Sequence, residues 1–218
     1  VFQFQRSGTQ AVVFQETGLP LPANAPVQAQ FQIGNSGSTR KRISVLFHDS
    51  DFADLSVCTF FLPANAPLQT YTMRSHTTKQ WGSATVSFYA ATNNTPDFYR
   101  LDNVSVQYTP ANSATETTCA DATVPTAPGG GAGPNLLANG TFATGVNTGV
   151  EPRWNTFGQI QGQVTGGVFD FIKLAGTPAG VLLQATAQAM TTNQILTGTF
   201  QLGNSSNVRK RVTVILHD

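Results

Sequence analysis

Two copies of one segment occur in the sequence, and this internal repeat constrains the fold more than any other feature. The segment Phe31–Asp49 recurs as Phe200–Asp218, with the tripeptide Arg-Lys-Arg at the same place in both copies. The offset of 169 residues continues backwards without a gap, so that residues 1–49 match residues 170–218. Solenoid repeats have periods of about 20 to 50 residues. The longer period therefore predicts whole domains that follow one another along the chain.

Alternating apolar and polar residues predict that these domains are built from strands. Val27–Ile33 alternates strictly, and Arg40–His48 follows after the turn-forming residues Gly34–Ser38, which predicts a hairpin. Helical periodicity is absent, and charged residues make up 11% of the chain, against about 25% in a typical domain. We therefore predict an all-β antiparallel sandwich. Four later strands are expected over Leu55–Leu62, Leu68–Ser75, Ser83–Ala90 and Leu101–Tyr108.

Both ends of the proposed domain resemble a known family. Asn135–Phe142 (NLLANGTF) resembles the opening of the jelly-roll carbohydrate-binding modules attached to bacterial xylanases and cellulases, and Tyr99–Val106 (YRLDNVSV) resembles their closing strand. The segment Asp51–Tyr108 also resembles repeats of large secreted bacterial surface proteins. The resemblance implies a jelly-roll fold. Further features in the family's order are Trp154, Gly166-Gly167 and Leu196–Leu202, whereas Thr141 and Ala143 stand where the family usually has acidic residues.

The repeat and the resemblance together predict tandem jelly-roll domains. Residues 1–110 would form one repeat that lacks its first strands, and residues 135–218 would form the first half of the next repeat. Residues 111–134, rich in Thr, Ala, Pro and Gly, are typical of a linker. The missing halves would come from neighbouring copies, either by continuity of a longer chain or by strand exchange. The start at Val1 without Met indicates a processed form or a fragment.

Aromatic and acidic residues supply the candidate binding sites. Aromatic rings stack on the apolar faces of sugars, and a large aromatic residue in a loop needs a reason to be there. Asp102 matches a calcium ligand in the resembled family, and Asp49, Asp51 and Asp54 could donate oxygen atoms from a loop. No cofactor is expected, while a structural calcium ion remains an alternative. The candidate sugar-binding residues are Trp81, Trp154, Tyr71, Tyr89 and Tyr99, and core packing is the alternative role for each.

The basic tripeptides and the cysteines have structural interpretations. Alternation places Arg40 and Arg42 on one face of a strand and Lys41 on the other, which favours edge protection over an anion site or a subunit contact. Cys58 and Cys119 are expected to form an intramolecular disulfide, with a buried Cys58 and an unpaired Cys119 as the alternative. The accessible N-glycosylation triplets begin at Asn93 and Asn204, although such triplets also arise by chance in an Asn- and Thr-rich chain.

These features predict a non-enzymatic extracellular or cell-surface protein. No phosphate loop, nucleophile elbow or zinc-protease motif occurs, and the three glutamates suggest no catalytic pair. A net charge of +1 gives no reason to expect nucleic acid, and no apolar run is long enough to insert into a membrane. We expect a structural repeat of a filament, stalk or adhesin, whose partners are neighbouring copies and in some cases a polysaccharide. The alternative is a pair of carbohydrate-binding modules from a secreted glycoside hydrolase.

Overall fold

The regular elements of the protein are all β-strands, as the sequence predicts. The computed structural model describes residues 1–7, 11–52, 54–91, 98–108, 118–120, 133–175, 180–191, 194, 196, 198–207 and 210–217, and no helix occurs among them. In chain order the strands are β1 (Phe2–Phe4), β2 (Val12–Glu16), β3 (Pro26–Asn35), β4 (Lys41–His48), β5 (Ser56–Leu62), β6 (Gln69–His76), β7 (Thr85–Ala90), β8 (Tyr99–Tyr108), β9 (Thr118–Ala120), β10 (Asn155–Phe157), β11 (Ile160–Thr165), β12 (Val168–Lys173) and β13 (Val181–Leu183).

The chain divides into two compact units. The first contains residues 1–126 together with residues 204–218, and the second contains residues 127–203. The predicted division into tandem repeats with a linker at 111–134 stays a prediction, since most of that segment lies outside the described residues. Thr118–Ala120 within it does not behave as a free linker, because it forms β9 against the edge of β6.

The first unit is a sandwich of two antiparallel sheets. One sheet has the strand order β1-β8-β3-β6-β9, and the other has the order β2-β7-β4-β5. The prediction of an all-β antiparallel sandwich is confirmed. Alternate residues of the long strands face the interior: Val27, Ala29, Phe31 and Ile33 of β3 are buried, as are Ile43, Val45 and Phe47 of β4.

The predicted hairpin between β3 and β4 is wrong. β3 pairs with β6 and β8, while β4 pairs with β5 and β7 in the opposite sheet. The connecting residues are held by Asn35, whose side-chain amide donates to the carbonyls of Thr39 (2.7 Å) and Pro63 (2.9 Å). At Gly34 a Cβ atom would lie only 3.0 Å from the Ala66 carbonyl oxygen, so the chain passes closely here. Alternation alone does not distinguish a hairpin from such a crossover.

Aromatic rings fill the space between the two sheets. Phe31 of β3 makes edge-to-face contacts with Phe60 of β5 and Phe88 of β7, with ring centroids 5.6 and 5.1 Å apart. Tyr71 of β6 also stacks on Phe31 at 6.4 Å. Such pairs add about 0.5–1.5 kcal/mol each to the stabilisation from burial. Phe31 belongs to the repeated segment, whereas the three rings around it lie in residues 50–108.

The described part of the second unit contains two small antiparallel strand pairs. β11 pairs with β12 along their full length, and β10 pairs with β13. Gly162 is required in β11, because a Cβ atom there would stand 2.6 Å from both the Asp170 carbonyl oxygen and the Phe169 ring. Among the residues described after β13, no further strand is present.

The two copies of the repeated segment have opposite environments. Phe31 is fully buried in the first copy, whereas its counterpart Phe200 is 60% exposed. Val45 is likewise fully buried, and its counterpart Val214 is 52% exposed. Because the sequences are so similar, the difference comes from what covers them. The first copy is covered by β5–β8, and the chain contains those strands once.

This contrast predicts unequal effects of one substitution at two matched positions. Phe31→Ala should lower the free energy of unfolding of the first unit by about 3–5 kcal/mol, since it leaves a cavity among three rings. Phe200→Ala in dilute protein should change it by less than about 0.5 kcal/mol. Urea denaturation followed by tryptophan fluorescence measures both values. Equal losses for the two variants would contradict the assignment of the first copy to the core.

Candidate functional site

The polar end of the first unit is the most organised group of charged side chains described. It comprises the loop Asp49–Asp54 between β4 and β5 and the loop Thr77–Ala84 between β6 and β7. The Asp49 carboxylate oxygen Oδ1 accepts backbone N–H groups of Ser50 (3.0 Å), Gly82 (3.0 Å) and Ser83 (3.2 Å). Asp49 therefore ties the two loops together, which is a structural use of a carboxylate.

Asp54 is the buried centre of this end. Its Oδ2 accepts the backbone N–H of Thr78 at 2.7 Å and the indole N–H of Trp81 at 2.8 Å, and its Oδ1 accepts from Arg211 at 2.7 Å. Arg211 also donates to the carbonyl oxygen of His76. A buried carboxylate needs such compensation, because an unpaired charge in the interior is very costly. The segment that carries Arg211 is thereby attached to the first unit.

Lys79 forms ion pairs with the two other acidic residues of the loop. Its Nζ lies 2.6 Å from an Asp51 carboxylate oxygen and 3.5 Å from an Asp49 carboxylate oxygen. Partial burial acts to lower the pKa of Lys79, but the hydrogen bond to Asp51 and the charges of Asp51 and Asp49 outweigh it, so the pKa is raised. The ammonium group thus stays charged between the carboxylates that were candidate calcium ligands.

His48 is buried behind this loop on the outer face of β4. Its Nδ1 donates to the carbonyl oxygen of Asp49 at 2.8 Å, because a carbonyl only accepts, and its Nε2 then accepts from the Ser87 hydroxyl at 2.8 Å. The ring of Phe52 stacks on the imidazole at 3.9 Å. Burial lowers the pKa of His48, against the opposing effects of the Asp49 backbone and of the charges on Asp49, Glu16 and Asp51.

The candidate sugar-binding aromatics of the first unit lie mostly in the core. Trp81 is 1% exposed and forms an isolated bridge with Leu21, while Tyr71 and Tyr99 are also buried. The Tyr99 hydroxyl donates to the Arg42 carbonyl at 2.8 Å. A buried ring offers no face to a sugar in solution, so these three rings serve packing in this structure. Tyr89, on the outer face of β7, is half-buried.

Trp154 belongs to an aromatic row in the second unit. Phe142 stacks on Trp154 at 5.3 Å and on Phe169 at 5.8 Å, and Phe169 stacks on Phe171 at 5.6 Å. The Trp154 indole N–H donates to the carbonyl of Asn139 at 3.1 Å, which leaves the ring half-buried. Of the predicted sugar-binding rings, Trp154 alone lies in the second unit.

An open groove lies in the same unit. Its volume is about 660 Å³, and its wall combines the Phe169 ring with amide and hydroxyl side chains. Asn147 is fixed at this wall, because its Oδ1 accepts the Thr156 backbone N–H and its Nδ2 donates to the Thr156 hydroxyl, both at 2.8 Å. No sequence pattern marks this wall, since isolated Asn and Gln residues carry no signal in a chain so rich in them. The polar lining residues include Thr144, Asn147, Thr156, Gln161 and Gln163.

The basic tripeptide of the first copy separates as strand alternation predicts. Lys41 is buried, with its ammonium group 4.8 Å from the centre of the Tyr99 ring, whereas Arg40 and Arg42 are half-buried. The Arg40 guanidinium stacks over Phe61 at 4.6 Å. In the second copy Arg209 lies outside the described residues, Lys210 is exposed, and Arg211 contacts Asp54.

The remaining candidates are dispersed. Asp102 lies on β8, 3.5 Å from the amino group of Val1, and also accepts the Asn103 backbone N–H. Asn204 is exposed in a turn that it closes by accepting from Ser206, and Asn93 lies outside the described residues. Cys58 is buried on the inner face of β5, and Cys119 is paired in register with Met73.

Comparisons with known proteins give no relative for this arrangement: no family model, curated protein or solved structure matches the chain significantly. Among the described residues, no three or more His, Cys, Asp or Glu side chains are placed to hold a metal ion. A search of the same residues for a helix with the length and apolar character of a membrane span finds none. The site is therefore interpreted from its own geometry.

The buried imidazole predicts a loss of stability in acid. Because the pKa of His48 is lowered in the folded state, the unfolded chain binds the proton more readily below about pH 6.5. This contribution to stability is complete above that pH and is lost as the pH falls towards the folded-state pKa, with a slope of at most about 1.4 kcal/mol per pH unit. Denaturation curves between pH 7.5 and 5 measure the slope.

Two matched variants test the assignment to this histidine. His48→Gln should reduce the dependence on pH, whereas His217→Gln, at the exposed repeat counterpart, should keep the wild-type dependence. An unchanged slope in His48→Gln would show that another group is responsible.

Proposed function

We propose that this protein is a non-enzymatic extracellular structural repeat, part of a filament, stalk or adhesin built from carbohydrate-binding-module-like sandwiches. The observation that carries the proposal is the repeat itself: the chain holds two copies of one segment and a single set of covering strands. In an array of such domains, each copy of the repeated segment would pack against a set of covering strands, so that no copy would be left uncovered. An active site would need a convergent set of catalytic groups instead.

The strand order supports the jelly-roll part of the proposal. Strands β1 to β8 form the two sheets in the orders 1-8-3-6 and 2-7-4-5, and every connection except β4 to β5 crosses from one sheet to the other. This is the order of a jelly roll, in which eight strands form two sheets with Greek-key connections. The charged end of the sandwich is satisfied internally by Lys79 and Arg211, which suits a structural domain.

The groove of the second unit favours the alternative, a carbohydrate-binding module pair. Amide and hydroxyl groups together with an aromatic ring are the groups that recognise sugars, and the groove offers both beside the row that contains Trp154. In this alternative the ligand would be a polysaccharide.

Electron microscopy of the native protein, together with a glycan array, distinguishes the two functions. Filaments without sugar binding are expected for the structural repeat. Compact particles that bind a defined glycan, with binding lost in Trp154→Ala and retained in the core-directed control Phe60→Leu, would overturn the proposal in favour of the alternative.

We also propose the disulfide between Cys58 and Cys119 that a secreted location would permit. Three placements support it. No cysteine among the described residues is free, β9 lies against β6 opposite the buried Met73, and β9 approaches β5, the strand of Cys58. The bridge would close the loop from Cys58 to Cys119, which are 61 positions apart. Closing a loop of that length should stabilise the fold by about 4 kcal/mol in the chain-entropy model. It would also fix β9 at the sheet edge.

Thiol titration of the denatured, unreduced chain tests the bridge. We expect no free thiol before reduction and two after it, and reduction should lower the unfolding temperature because β9 loses its attachment. Cys119→Ser should lower it to the same extent and leave one thiol on Cys58. Two free thiols in the unreduced chain would exclude the bridge.

A further inference from the structure

We infer that residues 170–218 dock onto residues 50–108 of a second copy of this chain, taking the place that residues 1–49 hold in the structure. This inference rests on the proposed structural-repeat function and names the partner and the surface. The residues that would dock are the apolar set of the second copy of the segment, defined here by sequence as Leu196, Phe200, Leu202, Val212, Val214 and Leu216.

Each member of the apolar set is exposed, and each has a buried counterpart in the first copy. The counterparts, 169 residues earlier, are Val27, Phe31, Ile33, Ile43, Val45 and Phe47, all at most 1% exposed. Exposing so many large apolar side chains in one segment is unfavourable, and exposed apolar residues in such numbers mark an interaction site. None of these side chains is therefore buried among the residues that the structure describes, whereas their counterparts are.

The structure identifies what covers the counterparts. Phe31 is enclosed by Phe60, Tyr71 and Phe88, and β4 is held between β5 and β7. All of these elements lie in residues 50–108. Because Phe200 and Val214 repeat Phe31 and Val45 in sequence, residues 50–108 present a surface of matching shape and register to either copy.

The second copy brings an additional strand to this surface. β12 contains the counterpart of β1, and β12 is paired with β11 over six residue pairs. In the first copy β1 has only β8 as a partner among the described strands. A domain formed with the second copy would therefore carry β11 on the outer edge of that sheet. Because β11 and β12 are already paired in the single chain, β11 would extend the sheet without a further strand having to form.

Two side chains near the end of the second copy bind residues 54 and 55 of the same chain. Arg211 binds Asp54, and the Thr213 hydroxyl donates to the Leu55 carbonyl at 2.8 Å, next to the start of β5. Docking in the manner of β4 would release these contacts and place Thr213 where Ser44 lies, opposite Tyr89 of β7. Head-to-tail exchange of this kind uses two different surfaces, so each molecule that joins leaves one surface open for the next, and only a rotation that closes a ring ends the growth.

Sedimentation of the full chain at rising concentration tests the surface. The wild type should exceed the 23.1 kDa of one chain at high concentration. Phe200→Asp should remain monomeric throughout, because a carboxylate cannot enter the aromatic site. Val150→Asp is the control, since Val150 is exposed but lies outside the repeat, and it should associate as the wild type does. A wild type that stays monomeric, or a Phe200→Asp variant that associates normally, would overturn the inference.

Cross-linking of the full chain tests the register. In the exchanged state Thr213→Cys should meet Tyr89→Cys of a second molecule, so oxidation of the double variant should give a ladder of covalent multimers. The double variant Ser44→Cys/Tyr89→Cys should cross-link within one chain, and neither single variant should form a ladder. A cross-link between 213 and 89 within one chain, or none, would contradict docking between molecules.

These results separate the inference from the function on which it rests. Native filaments together with a negative cross-linking result would remove strand exchange and leave the structural-repeat proposal in place. Glycan-binding compact particles would remove the structural-repeat proposal itself.

Discussion

The packing of Phe31 between Phe60, Tyr71 and Phe88 is the contact on which the rest of the first unit depends. It joins a strand of one sheet to strands of both sheets, and the surrounding aliphatic residues close around it. Interiors of this kind are packed as densely as organic crystals, so their shape is specific. Residues 1–49 supply the Phe31 ring, and residues 50–108 supply the three rings that enclose it.

Hydrogen bonds at the polar end hold the loops between the strands, which apolar packing between the sheets does not hold. The packed interior does not fix the loops that join the strands, whereas Asp49 and Asp54 do so by accepting specific N–H groups. Such groups are costly to bury unless they are paired. The acidic loop therefore fixes the relative positions of the strands that it connects. The charged side chains Lys79 and Arg211 are its counterions.

Sequence patterns predicted local structure well and long-range placement poorly. Predicted strands such as Leu55–Leu62 and Leu68–Ser75 match β5 and β6 to within one residue at each end, because alternation is a local property. The short strands β1 and β2 have too few residues to give that signal. The sheet to which β4 belongs and the burial of Trp81 depend on residues far away in the chain. The groove beside Asn147 likewise arises from tertiary packing.

The short pairing of β9 has a mechanical consequence. Three residue pairs join β9 to β6, and β8 is the strand that precedes β9 in the chain. A pulling force applied beyond residue 120 would separate these pairs one after another. The long β3–β8 pairing would bear the force only after β9 had separated. The twelve residues from 109 to 120 can span at most about 40 Å when fully extended. A covalent link from β9 to the core would remove this extensibility, so the redox state of the chain would set its compliance under load.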